Sequence, residues 1–182
     1  MKVPERLTTK RLELSLFKEE DFSEFFQIIS NEYCTRYISK KSDSISLEEA
    51  KTLFSLILSY YNHPNSVFAL KISPKDNDTC IGTCGLYFSR NNSPIECFYS
   101  LLPAYQGNGF AIEAMVKLLG YTFDMLNLPK IRILLHPNNS ESWKVAERIG
   151  MKYMGHMKHD IITPKAMLFT INKEEYFAQR IY

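Results

Sequence analysis

The chain has 182 residues, with 22 Lys and Arg set against 20 Asp and Glu for a formal net charge of +2. That balance gives no electrostatic case for nucleic acid, and 45% hydrophobic with 13% aromatic residues excludes a disordered chain. The length suits one domain over residues 1–182; no stretch approaches the ~20 apolar residues of a membrane span, and the amino terminus lacks a signal-peptide core, so a cytoplasmic location is expected.

Leu12-Glu13-Leu14-Ser15-Leu16 alternates apolar and polar residues, the pattern of a half-buried strand. Asp21 to Ser30 places Phe22, Phe25, Phe26 and Ile29 on one helical face. Ser46-Leu47-Glu48-Glu49 is a capping box, and its helix runs through Phe54, Leu58 and Tyr61 until Pro64. Three strands follow, Val67 to Ile72, Cys80 to Phe88 and Ile95 to Leu102. The turn residues Arg90 to Pro94 make the last two an antiparallel hairpin. Ala111, Ala114, Met115, Leu118, Thr122 and Met125 then form a helical stripe. Ile131 to Leu135 reads as a buried strand and Ser140 to Arg148 as a short helix. Met151 to Met157 and Met167 to Ile171 are the closing strands. This order predicts an α/β fold, a mixed and mostly antiparallel sheet of six or seven strands flanked by helices, with one central parallel pair.

The cysteines are Cys34, Cys80, Cys84 and Cys97, with no Cys-x-x-Cys pair and no metal-ligand spacing to the histidines. Even separation along a strand puts Cys80 and Cys84 on the same face, and buried reduced thiols are expected. No metal is implied.

The most informative segment is Tyr105-Gln106-Gly107-Asn108-Gly109-Phe110-Ala111, between a strand and a long helix. The first amides of a helix have no intrahelical partner, and the helix dipole adds partial positive charge there. Glycines at 107 and 109, with Ala111 in the first turn, let a phosphate approach those donors. It is not a P-loop, because Phe110 and Ala111 stand where Lys and Ser/Thr belong. Nor is it a dinucleotide fingerprint, because Ile112 occupies the third small position. Glu113 is a carboxylate close to this anion site.

Gln106-Gly107-Asn108-Gly109-Phe110-Ala111 resembles the acyl-CoA pyrophosphate loop of the GNAT N-acetyltransferase superfamily. Leu7 to Leu14, Tyr99 to Gly107, and His136 to Ser142 followed by Ala146 to Met151 are similar, in order and spacing, to the ribosomal-protein-alanine acetyltransferase branch. The resemblance covers most of the chain. It implies acetyl transfer from acetyl-CoA to a primary amine by direct attack. The acceptor would be a protein N-terminal α-amine or a small amine, and the protein a monomer or homodimer. A non-catalytic acetyl-CoA sensor or scaffold is the alternative, since both would keep the loop.

In this resemblance Gln106 to Ala111 hold the phosphates. The Ser100, Leu101 and Leu102 edge pairs with the pantetheine arm, and the Leu101 amide faces the oxyanion. One of Asn139 and Ser140 caps its helix, and Asn139 is assigned to the cofactor. Many family members carry a tyrosine that protonates the leaving thiolate, but Ala146 stands in its place here. In the ribosomal branch the serine at Ser142 takes that role. Glu96 is the expected base, acting through a water, with a merely solvated strand carboxylate as its other reading.

Overall fold

A computed structural model describes residues 2–38, 45–62, 68–87, 95–159 and 162–179, the Pro164 side chain apart. The described residues form strands β1 (Arg6–Thr8) and β2 (Leu12–Leu16), then helices α1 (Phe22–Ser30), α2 (Glu32–Thr35) and α3 (Leu47–Tyr60). Strands β3 (Phe68–Pro74), β4 (Gly82–Tyr87) and β5 (Ile95–Leu101) lead into helix α4 (Phe110–Asp124). Strand β6 (Lys130–Leu135), helix α5 (Ser140–Arg148), strands β7 (Lys152–His159) and β8 (Thr163–Asn172), and helix α6 (Lys173–Ala178) complete the chain. The strands make one sheet in the order β1-β2-β3-β4-β5-β6-β8-β7, antiparallel except for β5 against β6.

Eight strands replace the six or seven expected. The opening segment folds back on itself, with Arg6 opposite Ser15 and Thr8 opposite Glu13. Thr9 makes that corner by accepting the Leu12 amide on its hydroxyl at 2.8 Å. Three residues are too few for alternation to reveal a strand. The capping box forms as expected, with the Glu49 amide on Ser46 Oγ at 3.2 Å and the Ser46 amide on Glu49 Oε2 at 3.0 Å. Pro64 and the turn over residues 90–94 lie outside the described residues, but the antiparallel pairing of β4 with β5 is present, Gly82 opposite Leu101.

The two sheet faces carry separate cores. Leu12, Leu14, Phe68, Leu70, Ile72, Cys84, Ile95, Cys97 and Leu101 pack with Met115, Leu118 and Phe123 of α4. Phe17, Ala69, Cys80 and Leu102 pack instead with Phe25 and Ile28 of α1 and Phe54 of α3. Each large side chain so buried stabilises by about 1.5–3 kcal/mol, which is why strand alternation is obeyed on both faces. Two expectations fail here. Cys80 and Cys84 face opposite cores, because β4 starts at Gly82 and the strand parity does not extend back to Cys80. Met125 lies past the end of α4 and is 69% exposed. All four thiols are free and buried, and burial pushes Cys80 and Cys97 up to about 12. Among the described residues no helix is long and apolar enough to cross a membrane, and no three His, Cys, Asp or Glu gather to hold a metal.

Candidate active site

The site begins where the parallel pair comes apart. Strands β5 and β6 are in register only at Ile95 opposite Ile131 and Glu96 opposite Arg132. Beyond Glu96, β5 stays on β4 as far as Leu101 and leaves its other edge open. The Leu102 amide donates to Ile81 O at 2.9 Å, and antiparallel pairing alternates the direction of successive backbone groups. Leu102, Ser100 and Phe98 therefore address β4, while Leu101, Tyr99 and Cys97 address the opening. This corrects the expected three-residue edge. The Leu102 carbonyl also accepts from Tyr105 N at 2.9 Å, so both backbone groups of Leu102 are engaged. Leu101 keeps an amide toward the opening, while its carbonyl accepts from Gln106 Nε2 at 2.8 Å.

At the end of this opening the chain makes a 3-10 turn over Pro103–Tyr105 and enters the glycine loop. Gly107 and Gly109 have φ of 76° and 77°, the left-handed region where a Cβ is costly. Three carbonyls of the loop are engaged. Asn108 Nδ2 donates to Gln106 O at 3.1 Å, Arg11 Nη1 to Asn108 O at 3.0 Å, and Glu113 N to Gly109 O at 3.0 Å. No acceptor is present for the amides of Gly107, Asn108 and Gly109 among the described residues. The Phe110, Ala111 and Ile112 amides are first-turn amides of α4, which lack intrahelical partners. These donors, with the helix dipole behind them, suit an anion. Gln106 is the exception among the expected loop donors, because its amide is spent on Pro103 O at 3.2 Å.

The Glu113 carboxylate beside this loop is fully paired. Thr9 Oγ1 and the Arg11 amide donate to its Oε1 at 2.6 and 2.7 Å, and Arg11 Nε to its Oε2 at 2.6 Å. Burial pushes its carboxyl up, but these bonds together hold it below its ordinary value. Sequence reasoning missed Arg11. A partner 102 positions away leaves no local signal.

Glu96 and Ser142 lie on opposite faces of the sheet. Glu96 shares the α1–α3 face with Phe98, and it is only 2% exposed. Its Oε1 accepts from Arg132 Nε at 3.1 Å and from Arg132 Nη2, and its Oε2 accepts from the Tyr87 hydroxyl. The reading of Glu96 as a solvated strand residue is therefore overturned. On the other face, the Tyr99 hydroxyl donates to Ser142 O at 2.6 Å and ties α5 to β5. Burial pushes the Tyr99 phenol well above the usual range, so it stays a donor. The cap of α5 falls to Asn139 rather than Ser140, with Asn139 Oδ1 accepting the Ser142 amide at 3.3 Å. That commits the oxygen of Asn139 to the helix.

These parts line one cleft of about 670 Å³ that includes Ser100, Gly107, Gly109, Asn139, Ser142 and Glu96. Its wall on the α1–α3 side is apolar, through Phe25, Ile28 and Ile57. At its rim the Arg36 guanidinium lies 4.9 Å from both the Tyr33 and Tyr37 ring centroids, and Tyr37 stacks on His136 at 5.1 Å.

An anion cradle at the end of a split mixed sheet, with helices on both faces, is the architecture of acyl-CoA-dependent transferases. Residues 11–152 match the family model described as an acetyltransferase (GNAT) domain. The uncharacterized N-acetyltransferase p20 of Bacillus licheniformis is 31% identical over 180 residues, 94% of this chain and 98% of its own length. RimJ of Mycobacterium smegmatis, solved with CoA-disulfide, superposes with a TM-score of 0.78 at 15% identity, covering 94% of this chain and 89% of that one. Spermidine N-acetyltransferase of Vibrio cholerae, solved with CoA and spermine, superposes with a TM-score of 0.76 at 20% identity, covering 91% and 98%. The chain belongs to the GNAT acetyltransferase family, whose members take the acetyl group from acetyl-CoA.

Proposed function

We propose that this protein transfers the acetyl group of acetyl-CoA to a primary amine, a protein N-terminal α-amine or a small amine, by direct attack. The observation that carries this reading is the open β5 edge leading into a loop whose Gly107, Asn108 and Gly109 amides meet no acceptor among the described residues. The loop amides from Gly107 to Ala111 would take the diphosphate, and the Leu101 amide would face the oxyanion of the tetrahedral intermediate. Leu101 and its neighbours on the open edge would pair with the pantetheine arm. Asn139, through its remaining side-chain amide, and Ser142 lie on the α5 side, where the thiolate would depart. The Ser142 hydroxyl would protonate it.

The amine would approach from the α1–α3 side, where Glu96 would take its proton through a water. Both Glu96 oxygens already accept hydrogen bonds, so that water would share an oxygen with Arg132 or Tyr87. An α-amine with a pKa near ~8 needs less help at neutral pH than a lysine near ~10.4, so the geometry favours the α-amine class. The reaction needs no metal.

The test is thiol release from acetyl-CoA in the presence of a panel of amino-terminal peptides, polyamines and other small amines, with products identified by mass. Turnover with a peptide α-amine supports the reading. Tight binding of acetyl-CoA with no acetylated product from any amine would instead make the protein a sensor or scaffold.

A further inference from the structure

Arg11 reaches the glycine loop from the corner between β1 and β2, and its guanidinium makes three contacts there. Nε is on Glu113 Oε2 at 2.6 Å, Nη1 is on Asn108 O at 3.0 Å, and the guanidinium lies 4.5 Å from the Phe110 ring centroid. Nη2 is 3.6 Å from the point that a Cβ on Gly109 would occupy. An amide cradle attracts an anion only while its carbonyl dipoles point away. The carbonyls of Gln106 and Gly109 are held by partners within the loop and α4, whereas the Asn108 carbonyl is held by Arg11. A trans peptide sets C=O and N–H in opposite directions, so tying Asn108 O outward aims the Gly109 amide inward. Gly109 carries no Cβ to restrain the φ that borders this peptide plane.

We propose that Arg11 is a positioning residue for the acetyl-CoA diphosphate: it fixes the Asn108–Gly109 peptide plane, and Glu113, itself held by Thr9, aims the guanidinium. This deepens the acetyl-CoA reading of the same site and rests on it. The carboxylate also balances the arginine's charge, so the effect is one of geometry more than of net attraction. Lysine cannot reproduce it, because one ammonium cannot serve the Glu113 and Asn108 oxygens as a planar fork.

The test uses the whole chain and CoA itself, with calorimetric Kd, thermal melting and amide NMR. Arg11→Met should weaken CoA about tenfold, the worth of one charge-assisted hydrogen bond. In the ligand-free variant the Gly109 amide resonance should broaden or split, while amides of the remote β7 and β8 strands stay unmoved. Turnover at saturating acetyl-CoA should persist, with the loss in KM. Arg11→Lys should recover only part of the affinity. Unchanged CoA affinity in a folded Arg11→Met, or a Gly109 resonance as sharp as the parent's, would overturn the proposal, as would full recovery by Arg11→Lys. A parent that binds CoA but transfers nothing defeats the enzymatic reading and leaves this one standing; a parent that binds no CoA overturns both.

Discussion

Gly109 is the position where a single substitution tests the anion cradle most directly. Its φ of 77° and the 3.6 Å from Arg11 Nη2, the nearest non-neighbouring atom among the described residues, to the place of a Cβ separate two effects of substitution. The conformational cost of a side chain in the left-handed region is about 1–2 kcal/mol, and smaller for Asp or Asn than for other residues. There is no steric term in the free protein. Gly109→Asp should therefore fold, with a melting temperature lowered by a few degrees. Its carboxylate would stand at the mouth of the cradle. Two unit charges at ~4 Å repel by about 4 kcal/mol at an effective dielectric of ~20. The neighbouring Arg11 and solvent would offset about half of that. A residual of about 2 kcal/mol corresponds to about a thirtyfold weaker Kd for acetyl-CoA. Gly109→Asn, nearly isosteric and uncharged, should lose much less. Isothermal titration of acetyl-CoA into the three proteins reads the difference. If folded Gly109→Asp bound acetyl-CoA as tightly as the parent, the phosphates would not lie at this loop.

Ser142→Ala should lower turnover modestly with acetyl-CoA affinity nearly unchanged, because a thiolate with a pKa near ~8.5 already leaves readily; unchanged kcat across pH would remove its hydroxyl from the mechanism. Glu96→Gln should slow turnover and also destabilise the fold by about 3–5 kcal/mol in denaturant titrations, since it leaves the Arg132 guanidinium buried without its counter-charge. Finding full stability would mean that the pair does not hold β5 to β6. Activity should survive a chelator, and a loss restored by zinc would refute the metal-free reaction. The folded-state carboxyl of Glu113 is depressed, so its stabilisation is complete above the ordinary value of 4.5 and is lost as pH falls through the lower folded value. Acid titration of stability should show this loss in the parent and a smaller one in Arg11→Met, which keeps the bonds to Glu113 from the Thr9 hydroxyl and the residue-11 amide.

What could be read from the sequence alone was whatever a few neighbouring residues decide. The glycine pair between a strand and an amphipathic helix, the Ser46–Glu49 box, and the apolar stripe through Ala114, Met115 and Leu118 are such features, set by backbone preference and by periods of 2 and 3.6 residues. The parallel step followed from the strand–loop–helix–strand order. Other features depend on partners far along the chain. Glu113 stands beside an anion loop in sequence but is drawn aside by Thr9 and Arg11, more than 100 residues away. Glu96 was open in sequence to two readings, a base or a solvated strand carboxylate, and its burial against Arg132 and Tyr87 came only with the fold. Cys80 and Cys84 kept their spacing and lost their shared face, because the start of a strand depends on what it pairs with. The parting of β5 from β6, which makes the cleft, is written in no single segment. It appears only in the tertiary pairing, where β5 follows β4 to Leu101 and β6 follows β8 along its whole length after the two strands separate beyond Glu96 and Arg132.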